Sequence, residues 1–349
     1  MNSSFLKSDV TLLLKDITGL VVPLPTEERE KRIQQGVHYS EMLPLEYKPT
    51  EDYIRIYNET LSVFGQSTAD AVARVSDRIV ERKGKGVVLV SLARAGTPLG
   101  VLVRRYIRRK YGYECPHFSI SIIRGRGIDR NAVDYILQRY SPESIQFLDG
   151  WTGKGAIYRE LQRELKPFAG VSDTLAVLAD PACLTELCGT HDDILIPSSC
   201  LNSTVCGLIS RTFLRNDIIG ENDFHGAVYY GALSGEDRTY EFIDYIEKLF
   251  RFDLPGEESS SMKKGMEDVK MLAAKYGIGD INYIKPGIGE TTRVLLRRIP
   301  WKVIIDRKHA HDRELDHIRQ LAMERGVCIE YADLGNYRCC GLIKQLSDI

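Results

Sequence analysis

Between residues 86 and 198 short apolar runs alternate with stretches of helical periodicity, and this alternation constrains the fold more than any other feature of the chain. "GVVLVSL" (86–92) reads as a buried strand, 100–112 as a helix and "HFSISII" (117–123) as a second strand. "SIQFLDG" (144–150) is a third, followed by a helix over 156–168, and "TLAVLAD" (174–180) and "DDILIPS" (192–198) are a fourth and fifth. Strands interleaved with helices predict an α/β domain with a parallel, doubly wound sheet. In such sheets ligands bind beyond the carboxyl ends of the strands. Chemistry is therefore expected in the loops after 92, 123, 149 and 196.

A chain of 349 residues leaves room for about two domains. Residues 1–50, mixed in character, read as an arm or cap, and 51–250 as the main domain, opened by a long helix that stops at the 83–86 turn. Residues 251–265 have the Pro, Gly, Ser and charge of a linker. Residues 266–349 alternate helix and strand again and predict a second, smaller α/β domain. The 47 Lys+Arg against 48 Asp+Glu exclude a polycation that coats nucleic acid without preference. Residues 263–349 nevertheless carry 16 Lys+Arg against 12 Asp+Glu, so the positive excess is concentrated there. The eight cysteines show no CxxC spacing, and no His pair stands near them at zinc-ligand spacing, so neither a structural metal nor a disulfide frame is expected. The first residues lack the order of a secretory signal, and no apolar run approaches the roughly 20 residues of a membrane span. A cytoplasmic protein with reduced thiols is the expectation.

The third strand runs into "DGWTGKG" (149–155) at the start of a helix. Gly153 and Gly155 allow backbone N–H groups to approach an anion, Thr152 adds a hydroxyl, and the helix N-terminus adds partial positive charge. It is not a P-loop, because Leu148 stands where that motif has its first Gly and Lys154 is followed by Gly155 rather than Ser or Thr. An acid followed by Thr-Gly after a buried strand suits a sugar phosphate, with Asp149 accepting from sugar hydroxyls and the turn holding the phosphate.

"FLDGWTGKG" resembles the phosphoribosyl-pyrophosphate motif of type I phosphoribosyltransferases, with Gly150 in place of their second acid. "VSLARAGTPLG" (90–100) is similar to their pyrophosphate loop, which assigns Arg94, Ala95, Gly96 and Thr97 to the pyrophosphate. "IIRGRGIDRN" (122–131) stands where that fold places its flexible hood, with Arg124 and Arg126 as clamps. The resemblance implies a transferase that binds phosphoribosyl pyrophosphate with Mg²⁺, Lys154 included in the phosphate site and Asp149 holding the ribose, Mg²⁺ being held through the ligand and Asp149. "HYSEMLP", "ILIPSSCLNSTVCGLISRT" and "KPGIGETTRVLLRRIP" extend the resemblance to the phosphoribosyltransferase-like family of bacterial tellurium-resistance (Ter) stress operons, which carries a C-terminal Pelota-type, L7Ae-like RNA-binding domain. That family is also labelled cysteine protease StiP.

Three readings of 194–212 stay open. Ser198, Ser199, Asn202, Ser203 and Thr204 cap and pack a helix, or line the floor of the site against the acceptor; alternatively Cys200 is a nucleophile activated by the helix N-terminus with His191 or His225 as base. A further reading makes the main domain a catalytically idle nucleotide sensor. In the C-terminal part, Lys285, Gly287 and Gly289 precede a helix bearing Arg293, Arg297 and Arg298, with Lys302, Arg307 and Lys308 beyond. Turn amides and guanidiniums on one face suit RNA phosphates.

Overall fold

The structure, a computed structural model, describes residues 1–255 and 265–343, except for the side chains of residues 26, 30, 34 and 297. Most of the linker expected over 251–265 lies outside the described residues. The first long helix, α1 (Glu51–Lys83), is capped by Thr50, whose hydroxyl accepts from the Tyr53 amide, and ends at Gly84 with φ 68°. Glu51 and Asp52 in its first turn and Arg82 and Lys83 in its last complement the helix dipole. Its apolar face, including Tyr57, Phe64, Val72 and Ile79, is buried.

The main sheet is seven-stranded. We label its strands β1 (Thr11–Leu12), β2 (Val88–Ala93), β3 (His117–Ile123), β4 (Ile145–Trp151), β5 (Ala176–Ala179) and β6 (Cys188–Thr190). Their order is β1-β3-β2-β4-β5-β6, all parallel, and the short strand Gly127–Ile128 turns back antiparallel on β3. Helices α2 (Gly96–Tyr111) and α3 (Ala156–Leu165) follow β2 and β4, as the alternation requires. The arm is partly built into the sheet, since Thr11 and Leu12 pair with Phe118 and Ser119.

One strand differs from expectation. The sheet closes on Cys188–Thr190, not on 192–198, which runs as irregular chain into the short 3-10 turn Pro197–Cys200. A Pro at 197 lacks the N–H a ladder needs. Asp193 is fixed elsewhere, so this stretch serves as a connection between domains.

The smaller domain has a four-stranded sheet, β7 (Ile284–Pro286), β8 (Pro300–Asp306), β9 (Cys328–Ala332) and β10 (Cys339–Ile343), in the order β7-β10-β8-β9. Helix α4 (Ile288–Arg297) lies between it and the main domain. Ile288, Leu295, Leu296, Val303 and Ile305 belong to one continuous buried cluster with Phe64, Leu195 and Ile196. A buried aliphatic side chain contributes roughly 1.5–3 kcal/mol, so the two domains hold each other rather than hang on a tether. No described helix is long and apolar enough to cross a membrane.

Candidate active site

The glycine turn after β4 sits where expected, but its groups are already engaged. Thr152 donates its hydroxyl to Asp180. The Gly153 carbonyl accepts from Tyr337 at 2.7 Å. Lys154 donates to the Ile281 and Ile284 carbonyls, the latter at 2.8 Å, and burial lowers its ammonium to about 8. Gly155 takes φ 73° as the cap of α3, a left-handed conformation that glycine adopts without cost. The turn read as a phosphate cradle is thus a clasp for the second domain.

Asp149 lies beside the start of α2. A Cβ at Gly96 would come within 3.1 Å of its Oδ1 and of the Leu148 carbonyl oxygen, a tight fit that glycine avoids. The Gly150 amide donates to the same oxygen at 2.8 Å, yet burial pushes the carboxyl up to about 6 from its ordinary 3.8. A folded value above the unfolded one means that the fold prefers the protonated acid. This contribution to stability is complete below about pH 4 and lost as pH rises through about 6. Asp149→Asn should therefore gain stability relative to wild type over that interval and keep the gain above it, as read by thermal unfolding at a series of pH values. A difference that does not change with pH would contradict burial as the cause.

The other expected contacts are also mainly structural. Arg94 donates to the Ile209 carbonyl at 3.0 Å and to Asn202 at 2.9 Å, with Glu46 at 3.6 Å. Ala95 immediately precedes α2, and the buried Thr97 hydroxyl pairs with that of Ser119 at 2.7 Å. In the expected hood, Arg124 donates to Asn282 at 3.0 Å and Arg126 to Glu41 at 2.5 Å. Ser198 and Ser199 occupy the first 3-10 turn, and Ser203 and Thr204 a second, Ser203–Val205. No α-helix follows Cys200, so the helix N-terminus expected to activate its thiol is missing. Cys200 is fully buried, 3.5 Å from the Thr60 hydroxyl. His225 binds Ser121 at 2.8 Å and packs with Asp129, while His191 serves a different cysteine.

The turn expected to meet RNA faces inward. Asp193 accepts from the Ile288 amide at 3.0 Å and the Arg338 amide at 2.9 Å, and a Cβ at Gly287 would lie 3.1 Å from its Oδ1. Gly289 approaches Ser199 and Trp151, and Arg293 lies over the Trp151 ring at 5.6 Å while binding Glu290 at 3.1 Å. Lys285 is half-buried at the same junction, and the Arg297 side chain lies outside the described residues. Arg298, Arg307 and Lys308 are exposed.

A thiol, an imidazole and a carboxylate converge at the end of the sheet, where no site was expected. Cys188 opens β6, and His191 follows its last residue. The Cys188 Sγ lies 3.5 Å from His191 Nε2. On the other side of the ring, Nδ1 stands 3.1 Å from the Asp180 carbonyl oxygen and 3.5 Å from its carboxylate. The Asp180 carboxylate is itself fixed by the amides of Leu184 at 2.7 Å and Thr185 at 2.9 Å and by Thr152. Asp180, and then Cys188, hold the His191 imidazolium up to about 11. Arg78 secures the strand, donating to the Cys188 carbonyl at 2.6 Å. Nucleophile, proton carrier and orienting acid stand in the order that thiol catalysis needs. Cys188 is fully buried beneath this group, whereas the His191 side chain is 22% exposed.

The signal was present as Asp180, Cys188 and His191 in "DPACLTELCGTH", a Cys-x-x-His that the search for CxxC spacing and paired His passes over. Residues 3–247 match the family model described as "Tellurite-like stress resistance cysteine protease StiP". The chain belongs to the StiP family. Residues 263–345 match the model described as "PELOTA RNA binding domain". The chain is also similar to a protein of Acinetobacter baylyi (strain ATCC 33305 / BD413 / ADP1) named "Cysteine protease StiP", 37% identical over 367 residues, covering 99% of this chain and 94% of the relative.

These likenesses overturn the phosphoribosyltransferase reading. The full-length StiP relative carries the name of a cysteine protease, and the family model matched by the main domain is described in the same terms. Transfer from phosphoribosyl pyrophosphate falls with that reading. The motif resemblance misled because a strand, an acid and a Gly-rich turn also suit a domain clasp.

Proposed function

We propose that this StiP-family chain is a cysteine hydrolase of peptide bonds, with Cys188 as nucleophile, His191 as proton carrier and Asp180 as the group that orients the ring. The observation that carries this reading is the 3.5 Å approach of Cys188 Sγ to His191 Nε2, with Asp180 behind the ring. The name of the Acinetobacter relative supports the reaction class. The sulfur attacks the scissile carbonyl and forms a thioester, and His191 delivers a proton to the departing amine. His191 then takes a proton from the water that hydrolyses the thioester, which restores both groups. Because Cys188 is buried, a substrate reaches it only when the structure around it opens, and the turn at 181–187 joins Asp180 to Cys188. Cys183 in that turn holds φ 52°, a left-handed conformation that costs a non-glycine residue about 1 kcal/mol.

Hydrolysis of an unfolded protein such as casein tests the proposal. His191→Ala should reduce turnover by at least about 100-fold, the scale of one acid–base group. Equal turnover by the variant would remove His191 from the mechanism.

We also propose that the C-terminal domain binds RNA through exposed Arg298, Arg307 and Lys308 with Trp301, since the turn at 287–289 faces the main domain. The match to the Pelota model supports RNA as partner, and Trp301, 38% exposed, offers a surface for stacking a base. Replacing the three cations by Ala should flatten the salt dependence of binding to single-stranded RNA by roughly 0.7 for each phosphate that is no longer neutralised. An unchanged slope in filter binding would place RNA elsewhere.

For the scaffold, a phosphoribosyltransferase-type frame without transferase activity is supported by the parallel order β1-β3-β2-β4-β5-β6 with its interleaved helices. A reducing cytoplasm suits eight cysteines held as thiols.

A further inference from the structure

We propose that Asp180, Cys188 and His191 form a binding site for one divalent transition-metal ion of the zinc type, and that the ion, when bound, masks the Cys188 thiol. The masking rests on the hydrolase reading above; the metal site does not. One ligand atom from each of the three residues lies within 4.8 Å of the others. Thiolate sulfur, imidazole nitrogen and carboxylate oxygen are the donors zinc takes.

The spacing is specific. A tetrahedral ion with bonds of about 2.3 Å to sulfur and 2.0 Å to nitrogen separates those two atoms by about 3.5 Å, and Cys188 Sγ and His191 Nε2 are 3.5 Å apart. The Asp180 carboxylate, 3.5 Å from Nδ1 and inside the same 4.8 Å group, reaches the third corner by swinging toward the Nε2 edge of the ring.

The surroundings also suit a metal. A ligating imidazole is ordinarily held by a hydrogen bond from its other nitrogen, and His191 Nδ1 has the Asp180 carbonyl at 3.1 Å. A ligating carboxylate is ordinarily held by donors, and Asp180 has the Leu184 and Thr185 amides and the Thr152 hydroxyl. Three protein donors leave a fourth position for water.

Size favours an ion over a peptide in the closed structure, because Cys188 is fully buried. Binding uses the sulfur and the Nε2 lone pair, and the proton shared by that pair leaves to solvent. The same two atoms cannot then attack a carbonyl or carry a proton, so metal and substrate exclude each other.

The test is titration of the reduced full-length protein with Co²⁺, which gives a near-ultraviolet charge-transfer band when bound to thiolate, followed by displacement with Zn²⁺. One equivalent per chain is expected, with the band lost in Cys188→Ser and His191→Ala and kept in Cys200→Ser. Zn²⁺ should protect Cys188 from iodoacetamide, and a chelator should restore labelling. Absence of the band, or its survival in Cys188→Ser, would overturn the site. Stoichiometric Co²⁺ on Cys188 without peptide hydrolysis by chelator-treated protein keeps the site and removes the hydrolase. Hydrolysis that depends on Cys188 but is indifferent to Zn²⁺, with no Co²⁺ band, does the reverse.

Discussion

Cys188→Ser is expected to reduce peptide hydrolysis by at least about 10³-fold, while Cys200→Ser retains turnover close to that of wild type. Losing the nucleophile of a catalytic group acting as a unit costs orders of magnitude, because the remaining members have nothing to act upon. Serine keeps nearly the same shape in β6, and the Arg78 bond to the backbone carbonyl survives, so the loss would be chemical rather than structural. Cys200 offers a matched control, since it too is fully buried, with Thr60 as its neighbour. Circular dichroism on both variants separates the two kinds of loss. Should Cys200→Ser be the inactive one, the thiol assignment moves to the 3-10 turn.

Asp193→Ala is expected to cost roughly 2–4 kcal/mol of stability. Its carboxylate accepts from the amides of Ile288 and Arg338, which stand at one end of the antiparallel pair β7 and β10. Each buried donor left without an acceptor costs about 1–3 kcal/mol. Relief of a carboxyl that burial has pushed up to about 6 offsets part of this at neutral pH. Asp193→Asn keeps one acceptor and should lose less. Since the apolar cluster crosses the junction, both domains should unfold in one transition, and the variant should move the whole denaturation curve. Two separate transitions in wild type would contradict a shared core.

The parallel sheet was legible because periodicity reports burial, and burial is what a sheet flanked by helices imposes. Residues 86–92, 117–123, 144–150 and 174–180 all contain strands of it. The closing strand was not legible: Cys188–Thr190 is three residues long, too short for any period, and the apolar run that follows it drew the assignment to 192–198. The candidate site was hidden for a related reason. Its acid ends one strand and its thiol and imidazole bracket the next, so their convergence depends on β5 pairing with β6. The glycine turn misled in the opposite direction. Its local chemistry suits an anion, but Lys154 meets carbonyls of Ile281 and Ile284, and Gly153 meets Tyr337, more than a hundred residues away. Local sequence gives the donors of a turn and not their partner. The positive charge near 287–298 shows the same limit, since helix α4 turns its first residues toward the main domain.

The most direct measurement is covalent trapping of the reduced full-length protein by a peptidyl chloromethyl ketone, with the adduct located by peptide mass mapping. The account predicts a single adduct on Cys188, slowed strongly in His191→Ala. An adduct on Cys200, or label spread evenly over the eight cysteines, would contradict it.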